Sequence, residues 1–400
     1  MERRYDLDWV RTLAFGLLVL YHVGMYYVTW DWHVKSPAAG PALEPLMLLS
    51  SPWRLSLLFL VSGVATASML EHGPKGFVRL RSRRLLWPLL FGMLVVVPPQ
   101  SYYEVVEKLP GGYHDGYLAF WGRYLAADGS FCREGDCLDL PTWNHLWFLP
   151  YLWAYSMLLW AALKLAAGPM RRIGERLGRW FTGPAVLVVP ALGLGLVRML
   201  LVGRFESTHA LVDDWYNHAQ YLPVFLLGFW LARATQAWAS IERWRGWSLA
   251  LALCSYLALV AYFGHYDDAN PPPDWVRMVQ RLAWGANQWL SIAAILGFAR
   301  HWVKGDSPAL RYLVPAVYPV YILHQTVIVV LAHNAQGLAL DPWIEGPLLV
   351  ACTFALCLAG YELVRRIPIL RPVFGLKWRP VPRGTPRANG GPAAATGAGR

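Results

Sequence analysis

The sequence predicts an all-α, polytopic integral membrane protein with about ten transmembrane helices and both termini cytoplasmic. Three observations carry this. The 400 residues are 56% hydrophobic and only 15% charged, whereas charged residues alone make up about 25% of an ordinary soluble domain. Ten apolar stretches recur, each at or near the length that crosses about 30 Å of hydrocarbon. Finally, 26 of the 36 Lys and Arg residues fall in alternate loops on one side and six on the other, which makes the rich side cytoplasmic by the positive-inside rule. The 22 Trp and 20 Tyr fit the same picture, because amphipathic rings collect at the water boundaries of a bilayer. A net charge of +11 would suit nucleic acid, but its concentration in alternate loops is an insertion signal, so no nucleic-acid partner is expected.

In chain order the predicted spans cover roughly 9–27, 53–70, 85–103, 143–165, 185–202, 221–234, 247–263, 279–298, 313–333 and 346–364. The first carries two polar residues, Arg11 and His22. Eleven positions at about 100° per residue put them on one helix face, about 16 Å apart along the axis. An ionisable pair at that depth reads as a site. An imidazole titrates near neutrality and can take a proton from a hydroxyl. Helix packing is the bland alternative for His22, and snorkelling to the interface is the one for Arg11. The leader contains Asp6 and Asp8 beside its arginines, so an uncleaved first helix is expected rather than a signal peptide.

Between the second and third spans, Arg81 and Arg84 are three apart on a helix and share a face, which suits a phosphate or carboxylate. Attraction to anionic lipid is the alternative. The long loop near 101–142 carries Asp128, Glu134, Asp136 and Asp139, with Cys132 and Cys137 spaced for a disulfide in an oxidising compartment. As a zinc half-site the two cysteines lack a partner pair, so no metal is expected. His145 lies at the mouth of the fourth span and His324 inside the ninth, both as possible supporting residues. Arg198, Arg281, Asn287 and Gln288 suggest a hydrated cavity between helices. His209 and Asp214 form a His-x4-Asp match that chance explains. Residues 1–378 are expected to form one transmembrane domain and 379–400 a disordered Gly/Pro/Ala/Arg-rich tail. There is no Gly-x-Ser-x-Gly elbow, Walker loop or His-Glu-x-x-His helix to support a serine hydrolase, an NTPase or a zincin.

Several of these segments together resemble the membrane acyltransferase-3 family. Asp6-Leu-Asp-Trp-Val-Arg11 continuing to Tyr21-His22 is similar to its opening signature, Arg-x10-His, and Arg81-Ser-Arg-Arg84 is similar to its Arg-x-x-Arg element. Leu58-Phe-Leu-Val-Ser-Gly63, His145-Leu-Trp-Phe-Leu149 and Tyr321-Ile-Leu-His324 resemble further family segments. Trp32-His-Val-Lys-Ser36 and Tyr361-Glu-Leu-Val-Arg-Arg-Ile-Pro368 resemble the subgroup concerned with periplasmic glucan biosynthesis. The resemblance runs over about 6–377.

It implies transfer of an acyl group, succinyl or acetyl, from cytoplasmic acyl-CoA to a hydroxyl of a periplasmic glucan or other envelope carbohydrate. His22 would be catalytic with Arg11 in support, and Arg81 and Arg84 would serve the acyl donor. It further implies a bacterial inner-membrane location among lipid, acyl-CoA as co-substrate rather than a permanently bound cofactor, and either a homo-oligomer or a glucan-synthesis partner. A transporter or flippase for acylated or lipid-linked sugars is the alternative, with Arg and His as gate or relay.

Overall fold

Helix α1 (Tyr5–Tyr27) is unbroken and leads into α2 (Glu44–Leu48) and α3 (Arg54–His72). Next come α4 (Phe77–Phe91), a π-helical turn at Gly92–Val96, and α5 (Pro98–Lys108). Helix α6 (Tyr117–Leu125) precedes the two-residue strands β1 (Cys132–Arg133) and β2 (Asp136–Cys137), an antiparallel hairpin closed by the Cys132–Cys137 disulfide. A 3₁₀ turn at Asn144–Trp147 opens α7 (Phe148–Leu165), followed by α8 (Ala167–Trp180), α9 (Ala185–Leu201) and α10 (Trp215–Leu231). The chain continues with α11 (Thr235–Arg243), α12 (Arg245–His265), α13 (Asp274–Trp302), α14 (Pro308–Ala335), α15 (Pro342–Arg366) and α16 (Leu370–Val373). The computed structural model describes residues 3–72, 75–133 and 136–378; Glu134 and the expected 379–400 tail lie outside them.

Among the described residues, eight helical segments are long and apolar enough to cross a membrane, or nine if α8 and α9, which meet at a 119° bend, make one span. The ten stretches expected from the sequence all coincide with helices. The shortfall lies in α9 and α10, each of 17 residues, or about 26 Å at 1.5 Å per residue. Large apolar side chains such as Leu13, Trp247, Leu257 and Leu348 are exposed, as lipid contact requires.

Without a hydrophobic drive between helices in lipid, small residues decide where they cross. A Cβ on Gly63 would strike the Phe225 carbonyl, and one on Gly228 would strike that of Leu60, so α3 and α10 touch backbone to backbone. Gly285 presses against Gly195 in the same way where α13 meets α9.

The polar residues expected to line a cavity make direct bonds between helices. Asn287 donates to the Ala252 carbonyl at 2.9 Å and Gln288 to Ser56 Oγ at 2.5 Å. Arg198 donates to Tyr216 Oη at 2.6 Å and lies over the Trp284 ring, while Arg281 reaches the Met199 carbonyl at 3.3 Å. Donors of all four residues reach acceptors on adjacent helices and so tie the helices together, while Arg198 Nε and Asn287 Oδ1 are buried without a partner.

The helices have two chemically distinct ends. The starts of α1 and α4 gather arginines at one; the loop after α1, the end of α5 and the disulfide hairpin share the other. At mid-span the π turn frees carbonyls: Trp121 Nε1 bonds Leu94, Tyr124 Oη bonds Met93 and Thr326 Oγ1 bonds Val96. That bulge sets the start of α5, and with it Gln100, against α14.

Candidate active site

Three histidines distant in sequence meet between α1, α14 and the 3₁₀ turn. His22 Nδ1 lies 2.8 Å from His324 Nε2, with the rings stacked at 4.9 Å. His145 meets His324 edge-on at 5.1 Å. His324 and His145 are buried, while His22 keeps part of its surface exposed.

The hydrogen bonds assign the protons. His324 Nδ1 faces the Tyr321 carbonyl at 2.7 Å, and a carbonyl only accepts, so Nδ1 is protonated. Neutral His324 then offers a lone pair at Nε2, and His22 donates to it from Nδ1. The lone pair of His22 is thereby left on Nε2, the tautomer a general base needs. His145 is fixed by the same logic. Its Nε2 donates to the Ile322 carbonyl at 3.1 Å, so its Nδ1 accepts from Gln100 Nε2 at 3.3 Å. Tyr321 Oη donates to the His145 carbonyl at 2.7 Å, locking the turn onto α14.

A polar chain leads from this cluster to the disulfide end. Gln100 Oε1 accepts from Asn144 Nδ2 and Gln325 Nε2, both at 3.1 Å. Gln325 donates to His33 Nε2 at 2.9 Å, and His33 Nδ1 donates to Glu104 at 2.5 Å. Lys108 joins Glu104 to Asp31, at 3.3 and 2.8 Å, beside a cleft lined by Phe131, Cys132 and Arg133. Lys35 pins the loop that carries His33 by donating to the Met25, Val28 and Trp30 carbonyls at the end of α1, a favourable place for a cation. Burial holds the Lys35 ammonium below its ordinary pKa.

The arginines do not form a matching cluster. Arg11 ion-pairs with Asp8 at 3.4 Å and does not touch His22. Arg81 is buried and bonded to Ser156 Oγ at 3.0 Å and Thr66 Oγ1 at 3.3 Å. Arg84 is exposed at the same end. The expected two-guanidinium face is thus split, one member turned inward and one outward, because α4 buries Arg81 against α3 and α7.

The sequence offered His324 and His145 as possible supporting residues, and the structure joins Gln100, Gln325, His33 and Glu104 to them. The Trp32–Ser36 segment signalled His33; nothing local signals Gln100, whose role depends on the π turn. The Asp214 carboxylate is buried and taken up by Tyr151, Asn217 and the backbone N–H groups of Thr208 and His209. It is a loop clasp. Among the described residues no group of three or more His, Cys, Asp or Glu is arranged to hold a metal ion.

The acyltransferase-3 family model, described as an acyltransferase domain, matches residues 4–362. Glucans biosynthesis protein C of Escherichia coli O6:K15:H31 (strain 536 / UPEC) is 20% identical over 385 residues, covering 94% of this chain and 95% of the relative. The proteins of the same name from Escherichia coli O1:K1 / APEC and strain K12 / DH10B are 20% identical over 390 residues, with the same coverage. No solved structure matches the chain. With a family match over nearly its whole length and an all-helical, membrane-spanning fold, the chain belongs to the acyltransferase-3 family and is a multi-pass membrane acyltransferase.

Proposed function

We propose that this acyltransferase moves an acyl group, succinyl or acetyl, from acyl-CoA bound at the arginine-rich, cytoplasmic end to a hydroxyl of a periplasmic glucan or other envelope carbohydrate. The observation that carries this reading is the His22 tautomer, with Nε2 left as a free lone pair by the contact to His324. The names of the relatives supply the glucan, and the lysine and arginine distribution supplies the sidedness in a bacterial inner membrane.

In this reading His22 Nε2 takes the proton of the acceptor hydroxyl as its oxygen attacks the thioester carbonyl carbon. The carbonyl π pair moves onto oxygen, then returns as the carbon–sulfur bond breaks. The CoA thiolate leaves and receives the proton from His22. His324 steadies the transient imidazolium through the hydrogen bond at Nδ1, as a third group orients the base in other nucleophile–base systems. Exposed Arg84 serves the CoA phosphates, while Arg81 and Arg11 shape that end. The relatives' glucan also makes a glucan-synthesis protein the expected partner.

The test uses purified protein in nanodiscs with radiolabelled succinyl- or acetyl-CoA and periplasmic glucan. His22→Ala should lower transfer by about 10²–10⁴-fold, the range of general-base catalysis. Undiminished labelling would reject His22 as the base, and vesicle transport of sugar without acyl turnover would favour a flippase.

A further inference from the structure

Arg54, in the first turn of α3, is only 8% exposed. Among the described residues it is the one side chain with two buried polar atoms lacking a hydrogen-bonding partner, Nε and Nη1. Its guanidinium carbon lies 3.2 Å from the centre of the Tyr21 ring. Tyr21 precedes His22, and those two rings are 6.0 Å apart. The two distances together bound how far the guanidinium stands from the His22 imidazole. The position is well defined. Arg54 N–H bonds the Ser50 carbonyl at 3.1 Å, and Ser51 Oγ donates to Tyr21 Oη at 3.1 Å.

An aromatic face attracts a cation but accepts none of its in-plane N–H bonds. A desolvated, unpaired charge is costly, and buried charges are normally paired. No carboxylate pairs with Arg54 among the described residues. A cation in that condition, stacked on the ring that adjoins His22, suits an anion that the substrate brings or develops.

We infer that Arg54 receives an anionic oxygen of the transferred acyl group at the His22 site. The inference rests on the acyltransferase reading above. Two oxygens share this chemistry: the oxyanion formed when the hydroxyl adds to the thioester carbonyl, and the distal carboxylate of a dicarboxylic acyl group. In the first case the step is the one already balanced: the carbonyl π pair rests on oxygen opposite Arg54 while His22 holds the acceptor's proton, and both return as thiolate departs. Donors aimed at a developing oxyanion act in the transition state and so raise kcat more than they lower KM.

The experiment measures steady-state transfer from acetyl-CoA and succinyl-CoA by wild type, Arg54→Gln and Arg54→Lys, each first shown to be monodisperse and to bind CoA. Arg54→Gln should lower kcat by about 10²–10³-fold with little change in KM for acyl-CoA, and Arg54→Lys should recover part of the loss. An equal loss with both donors identifies the oxyanion; a loss confined to succinyl-CoA identifies the distal carboxylate. Wild-type kcat with both donors in Arg54→Gln, while His22→Ala is inactive, overturns the inference and leaves the acyltransferase reading intact. If the wild type transfers neither group, that reading has failed, and thermal stability in sodium succinate against sodium chloride at equal ionic strength decides. Stabilisation by succinate that disappears in Arg54→Gln supports an anion receptor; the same shift in both proteins, or none in either, overturns it.

Discussion

At the start of α1, Arg11 leans on Asp8 one turn away, while Arg81 is bonded inward to Ser156 and Thr66 and Arg84 faces outward. Eleven positions further along, His22 is held by His324, which is held by the Tyr321 carbonyl, with His145 against the same helix. The first region gathers three like charges and disperses them into separate environments. The second gathers three rings, two joined by a hydrogen bond and the third by an edge-on contact. Guanidiniums repel one another and are always charged, so they share an end of the protein without touching. Imidazoles can donate and accept, so backbone carbonyls fix the tautomers of His324 and His145, and His324 in turn fixes that of His22. The histidine region is therefore organised before substrate arrives, and the arginine region is completed by an anionic ligand.

That contrast is open to attack from both sides. After His22→Ala itself, the largest effect is expected from His324→Phe, which keeps a ring but removes the acceptor for His22 Nδ1. Transfer should fall about 10–10³-fold, below the loss from removing the base, and kcat for labelled acyl-CoA reports it. Arg81→Ala comes next and should act on folding. Its buried partners lose a charged donor, so stability should drop by about 1–3 kcal/mol, read as a lower unfolding temperature in detergent. His145→Ala should cost about tenfold in kcat, since His145 touches His324 only through ring contact. The smallest effect belongs to Arg84→Ala, a rise of roughly three- to tenfold in KM for acyl-CoA at constant kcat, as for an exposed charge–phosphate contact. Equal KM effects from Arg81→Ala and Arg84→Ala would restore the two-guanidinium face and break the contrast.

Much of this was legible in the chain. Apolar run length and the alternation of Lys and Arg marked every helix that carries the candidate site, and the depth of His22 in its run marked it as a candidate. Cys132 and Cys137 were rightly suspected of pairing. The convergence of His22 with His324 was not legible, because their meeting across 302 positions depends on how α1 packs on α14. Periodicity correctly placed Arg81 and Arg84 on one helix, but it could not show that one side of that face is covered by α3 and α7. The bonds of Asn287 and Gln288 to neighbouring helices were not legible for a related reason. A polar residue in a membrane helix announces that it needs a partner, not whether the partner is water, substrate or the next helix.

The account turns on His22 and His324 acting as one unit, and a double-mutant cycle measures that directly. Transfer from labelled acyl-CoA to glucan is compared for His22→Ala, His324→Phe and the double variant. If His324 works only by holding the His22 tautomer, the double variant should be no slower than His22→Ala alone, because the orienting contact has nothing left to orient. Multiplied losses in the double variant would contradict the account and give His324 a chemical role of its own.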